Sequence, residues 1–145
     1  MLTEQEDDFT FRLHDEARVR EEVEHYGGYI RDLDDWTWFG TLTSRHKGGP
    51  SVTAVNRFLH DIEAAAGHPI RWVIAWEYGE IGGHLHCHFL VSKVGHLVLA
   101  KWLRRANAQF GQAHIVPYDK SQGGSFYVAQ NGCSNTGRLD FGGNA

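Results

Sequence analysis

The chain has 145 residues, 41% hydrophobic and 22% charged, with a net charge of −4 at pH 7. That is enough apolar content for one domain with a sizeable core, but no run is long and apolar enough to span a bilayer. The acidic amino terminus is no secretory signal, and two cysteines make no disulfide framework, so a reduced cytoplasmic setting is the default.

The acidity is unevenly placed. Residues 1–35 hold twelve acidic and four basic residues, net −8; residues 36–145 hold six and ten, net +4. A mildly basic body permits a phosphate-binding surface without demanding one.

Residues 1–8 read as disordered. A loose apolar stripe (Leu13, Ala17, Val19 or Val23) predicts a helix from about Phe11 to Tyr26, which Gly27 and Gly28 interrupt. Trp36 to Thr43 is a predicted strand. On a central strand Trp36 and Trp38 are core residues more readily than base-stacking ones. Lys47 to Pro50 is a loop. Ser51 caps a helix running to about Ala66, with Val55, Phe58, Leu59 and Ile62 on its apolar face and Gly67 as its stop.

Ile70 to Tyr78 is rich in β-branched and aromatic residues and predicts a strand. Gly79 to Gly83 is a turn, and His84-Leu85-His86-Cys87-His88-Phe89-Leu90-Val91 is the returning strand. Side chains alternate between faces of a strand, so His84, His86 and His88 share one face and Cys87 points into the opposite layer. A turn centred between Ile81 and Gly82 sets Glu77 opposite His86, adding a carboxylate to the imidazoles. Such a cluster suits a divalent metal without naming it.

A further helix is predicted from about Leu97 to Phe110, burying Leu99, Trp102, Leu103 and Ala106 and exposing Lys101, Arg104 and Arg105. Ala113 to Val116 is a short strand in which His114 reads as a surface residue. Residues 125–130 form a helical turn or two, and the tail after Asn131 reads as irregular. The expected fold class is α+β: a split βαβ (ferredoxin-like) antiparallel sheet, with helices on one face and an open, metal-bearing face. The expected organisation is an acidic, partly helical segment (1–35), a main domain (36–131) and a tail (132–145).

Three segments, in this order, resemble the motifs of the HUH endonucleases, in particular the rolling-circle replication initiators (Rep proteins). Phe39-Gly40-Thr41-Leu42-Thr43 is similar to the first strand motif, Glu77 through His88 to the metal motif, and Tyr127-Val128-Ala129-Gln130 to the tyrosine motif. The resemblance implies a metal held by Glu77, His86 and His88, with His84-Leu85-His86 as an alternative register and His84 as a further donor. It implies Tyr127 as nucleophile, Mg²⁺ or Mn²⁺ as cofactor, and single-stranded DNA as substrate. Tyr127 would be joined to a 5′ phosphate and a 3′ hydroxyl released.

Many relatives carry lysine where this chain has Gln130, and some a second tyrosine where it has Asn131, which implies single-tyrosine chemistry. Arg45, Lys47, Arg104, Arg105 and Gln130 are the candidate DNA contacts. No helicase domain follows the tyrosine, so the expectation is either a minimal initiator or an excised catalytic domain, with a host or plasmid helicase as an expected partner. The alternatives are a single-tyrosine transposase of the same fold, a non-catalytic zinc- or DNA-binding module, and a metal hydrolase in which water attacks.

Overall fold

The computed structural model describes residues 4–44, 50–78, 85–133 and 137–145, and the side chains of 17–43, 50–77, 86–133 and 137–145. The elements are α1 (Glu4–Leu33), β1 (Trp36–Ser44), α2 (Val52–Ala66), β2 (Arg71–Tyr78), β3 (Leu85–Ser92), α3 (Leu99–Phe110), β4 (Gly111–Pro117), α4 (Gly124–Cys133) and β5 (Gly137–Gly143). A short 3₁₀ turn, Lys120–Gln122, precedes α4. The strands form one sheet in the order β4-β1-β3-β2-β5, antiparallel at every pairing. The chain is therefore α+β, and its β1-α2-β2-β3-α3-β4 core is the split βαβ arrangement expected from the sequence.

The two faces differ because the strands alternate. Trp38, Leu42, Trp72, Ile74, Trp76, Cys87, Phe89 and Val91 point to one face, where α2 and α3 cover them with Val55, Phe58, Leu59, Ile62, Trp102 and Phe110. The caps of α2 are those read from the sequence: Ser51 Oγ accepts from the Ala54 N–H at 3.1 Å, and Gly67 ends the helix at φ 76°. Gly40 lies opposite Phe89, and a Cβ there would stand 2.2 Å from that ring. The glycine lets a phenylalanine lie flat across the strand.

On the other face Val73, Ala75 and Leu90 form a second, smaller cluster with Val128 and Ala129 of α4 and Ile30 of α1. The crossover helices α2 and α3 lie on one face, as expected, and the other face stays open on the side of the histidines. Half of the second face is apolar and is roofed by α4 and α1; the remaining half, toward β1 and β4, carries the histidines.

Three expectations are corrected. α1 begins at Glu4, within the segment read as disordered, and continues through Gly27 and Gly28. Gly27 serves packing: a Cβ there would lie 2.3 Å from Phe126 Cδ1, so the glycine admits that ring of α4. Residues 137–143 of the tail are not irregular, since β5 pairs with β2 from Arg71↔Gly143 to Glu77↔Gly137. Trp36 and Trp38 are both buried, on opposite faces, because the register shifts between them. Trp36 donates its indole N–H to the Ile30 carbonyl at 2.6 Å, which anchors the end of α1 to the sheet. Among the described residues no helix is long and apolar enough to cross a membrane.

Candidate active site

The hairpin register places Glu77 opposite His86, as the turn-centre argument requires, and Ala75 opposite His88. Across the other edge of β3, Thr43 lies opposite His86 and Thr41 opposite His88. Directly opposed residues share a face, so Thr41, Thr43, Glu77, His86 and His88 form one polar patch. The two threonines hold the rings. Thr41 Oγ1 and His88 Nδ1 are 3.0 Å apart, and Thr43 Oγ1 and His86 Nδ1 2.9 Å. A proton on each Nδ1, donated to threonine, leaves both Nε2 lone pairs unshared.

His88 is buried, and burial holds its pKa below the ordinary imidazole value, against the opposing pull of the Glu77 carboxylate. Its Nε2 stands 3.8 Å from Glu77 Oε2. A neutral imidazole lone pair and a carboxylate oxygen facing each other are two electron-rich atoms that call for a cation between them. The donor types therefore fit a divalent ion. The set is not closed: among the described residues no three His, Cys, Asp or Glu side chains are disposed to hold an ion together. Glu77, with 44% of its side chain exposed, has room to swing toward the pair. His84 lies outside the described residues. Cys87 points away, as expected, and its burial pushes the thiol up to about 12.

Tyr127 projects from α4 over this patch. Its ring meets that of His88 edge-on at 5.1 Å between centroids and that of Phe39 at 6.0 Å, and it is 48% exposed. Val128 and Ala129 are fully buried, so packing of α4 on the sheet fixes where the phenol stands. Gln130, three residues on, is exposed on the same helix.

The other candidate contacts separate. Arg104 and Arg105 lie on α3, behind the sheet from the histidines. Arg105 pairs with Asp61, and its guanidinium sits 5.1 Å from the Trp102 ring, so it serves the α2–α3 surface. Arg45 and Lys47 lie outside the described residues. His114 is exposed, opposite Thr41, and so in line with His88 on the site face.

Sequence reasoning missed the threonines as site residues, although their alternation on the first motif strand was the signal. It also missed a cavity of ≈ 360 Å³ beside Tyr127, to which Phe39, Thr41, Tyr118 and Asp119 contribute. Pro117, Tyr118 and Asp119 carried no more than a loop signal.

Fold and site together define an open-faced α+β protein with paired histidines, a carboxylate and a tyrosine on one side of an antiparallel sheet. The chain belongs to the replication-associated protein (ORF2) family, whose model matches residues 37–131, and this membership ties it to DNA replication. The match starts in β1 and ends in α4, so it spans the split βαβ core and the tyrosine helix and leaves α1 and β5 outside. No curated protein and no solved structure matches the chain.

Proposed function

We propose that this chain is an HUH-type endonuclease that nicks and rejoins single-stranded DNA to initiate rolling-circle replication, with Tyr127 as nucleophile. The observation that carries this reading is the Tyr127 ring set 5.1 Å from His88, on the sheet face that the opposed Glu77–His86 pair shares. The tyrosine Oη attacks the scissile phosphorus as the bond to the 3′ oxygen breaks. The phosphate remains on Tyr127 through its 5′ side, the phenol gives up a proton, and the departing 3′ oxygen takes one up. One phosphodiester replaces another, so the step is near balance and reverses when a second 3′ hydroxyl arrives.

Glu77, His86 and His88 would hold the ion, Mg²⁺ or Mn²⁺, and Thr41 and Thr43 fix the two rings. A divalent cation bound there supplies positive charge to the phosphate oxygens as negative charge develops. The phenol is otherwise mostly protonated at neutral pH. Its exposure gives the strand access, while the apolar packing of α4 holds the approach angle. Gln130, one turn along, offers an amide hydrogen bond to phosphate where a lysine would offer charge. A host or plasmid helicase would unwind what the nick opens.

The test is a labelled single-stranded oligonucleotide containing the replicon's origin, incubated with protein and Mn²⁺ and run on a denaturing gel. The expected result is a covalent protein–DNA adduct that Tyr127→Phe abolishes. Cleavage without an adduct, or an adduct that persists in Tyr127→Phe, overturns the assignment.

A further inference from the structure

We infer that the cavity beside Tyr127 is a specificity subsite that takes one nucleobase of the DNA strand, selected for an exocyclic amino group. This deepens the proposed function, because it uses the same strand that reaches Tyr127.

The ≈ 360 Å³ cavity shares Thr41 and Tyr127 with the patch described above. Thr41 holds His88 Nδ1 on one side and forms cavity wall on the other. A group filling the cavity is therefore one residue from the reacting atoms. Its size falls in the range of small-ligand sites, roughly 300–1,000 Å³.

Phe39, Tyr118 and Tyr127 supply aromatic rings, the first and last 6.0 Å apart. Flat π-faces of this kind are what an unstacked base packs against. Gly124 keeps the space clear: a Cβ there would come 3.1 Å from Tyr118 Cε2 and 3.5 Å from Phe39 Cδ2.

The charge then decides which part of a nucleotide enters. Asp119 lines the cavity, and its Oδ1 accepts from both the hydroxyl (2.7 Å) and the N–H (3.0 Å) of Ser121. Those bonds hold the carboxyl below its ordinary range, so it is ionised at neutral pH. Oδ2 takes no hydrogen bond among the described residues. A carboxylate repels phosphate and accepts from an amino group. Cytosine presents a donor at N4 where thymine presents the O4 acceptor, so cytosine and the other amino-bearing bases fit and thymine does not. Gln122, also on the wall, has a side-chain amide that offers a donor and an acceptor for the remaining edge.

The test is equilibrium binding of fluorescent single-stranded dC and dT oligonucleotides of equal length, read by anisotropy in EDTA so that no cleavage occurs. The two bases share a ring size, so stacking is matched. The wild-type protein is expected to bind dC about tenfold tighter than dT. Asp119→Asn keeps a side chain able to cap the 3₁₀ turn but places an amide donor beside the base, and should erase or reverse that preference. Val116→Trp fills the cavity from β4 and should weaken both oligonucleotides about tenfold. Circular dichroism establishes that each variant folds.

Equal affinity of the wild type for dC and dT overturns the inference, as does a preference that survives both substitutions. The adduct experiment is separate. A dC preference lost in Asp119→Asn, with no Tyr127 adduct, sinks the transesterification and leaves the subsite standing. An adduct with no base preference does the reverse.

Discussion

Thr41 and Thr43 show how much of this site rests on residues with no acid, base or ligand role of their own. Each hydroxyl sits about 3 Å from a histidine Nδ1, at the opposed position on the neighbouring strand. Partners of that kind set the tautomer and ring angle of a metal-binding histidine, and losing one typically costs about 10–100-fold in metal affinity. Valine has nearly the shape of threonine and suits a strand. Thr43→Val, beside the half-buried His86, is therefore expected to lower the melting temperature little, whereas Thr41→Val should cost about 1–3 kcal/mol, because it leaves Nδ1 of the buried His88 without a partner. On the proposed function, each should weaken Mn²⁺ binding, followed by calorimetric titration, by that factor. Affinity equal to wild type in both variants would show that the rings are oriented by something else. His86 and His88 themselves were legible from sequence because the period of a strand is two. The threonines were harder to see, because a hydroxyl on a strand is ordinary and its partner lies 43 or 47 residues away.

At the level of elements, helix α1 is where local rules and tertiary packing disagree. Two adjacent glycines inside a helix cost roughly 1 kcal/mol each against alanine, which is why the sequence predicts a break there. The helix persists because its far end is tied down: Ile30 is fully buried, and Trp36 bonds its carbonyl. The two glycines then make opposite predictions. A Cβ added at Gly28 would have nothing within 4 Å, so Gly28→Ala should raise stability by up to about 1 kcal/mol. At Gly27 the Cβ would meet Phe126 at 2.3 Å, inside the α1–α4 contact. Overpacking costs typically about 1–3 kcal/mol, so it should cancel or exceed the helix gain, and Gly27→Ala should be neutral or destabilising by up to about 2 kcal/mol. Urea midpoints of the two variants decide it, and equal stabilisation by both would refute the packing account. β5 escaped prediction for a related reason. Gly137, Gly142 and Gly143 give it poor strand propensity, yet Gly142 lies opposite Trp72, with room for an indole where a Cβ would stand 2.4 Å from its Nε1. Its place is set by pairing with β2 and by the Trp76 indole donating to Asp140 at 2.9 Å, long-range contacts that local pattern does not carry.

Over the whole molecule, the charge asymmetry of the sequence acquires a location. The acidic helix α1 packs with α4, which bears Tyr127, against the same sheet face that carries His86 and His88. Removing residues 1–35 is thus no clean probe of their charge, because it also strips Ile30 from the second cluster and Trp36 of its hydrogen-bond partner. Neutralising exposed carboxylates in place avoids that damage. Glu21 and Glu24 lie exposed on α1. Like charge on the side of the molecule that a polyanion approaches lowers its affinity, and the effect is long-ranged only when salt is low, since the screening length is about 8 Å at physiological ionic strength. The double variant Glu21→Gln, Glu24→Gln should therefore bind single-stranded DNA about two- to fivefold more tightly than wild type at low salt, with the difference shrinking as salt rises. Anisotropy titrations across a salt series measure both quantities. A gain that persists undiminished at high salt would point to a direct contact instead of a field. No gain at low salt would mean that the acidic helix serves the fold and leaves DNA binding untouched.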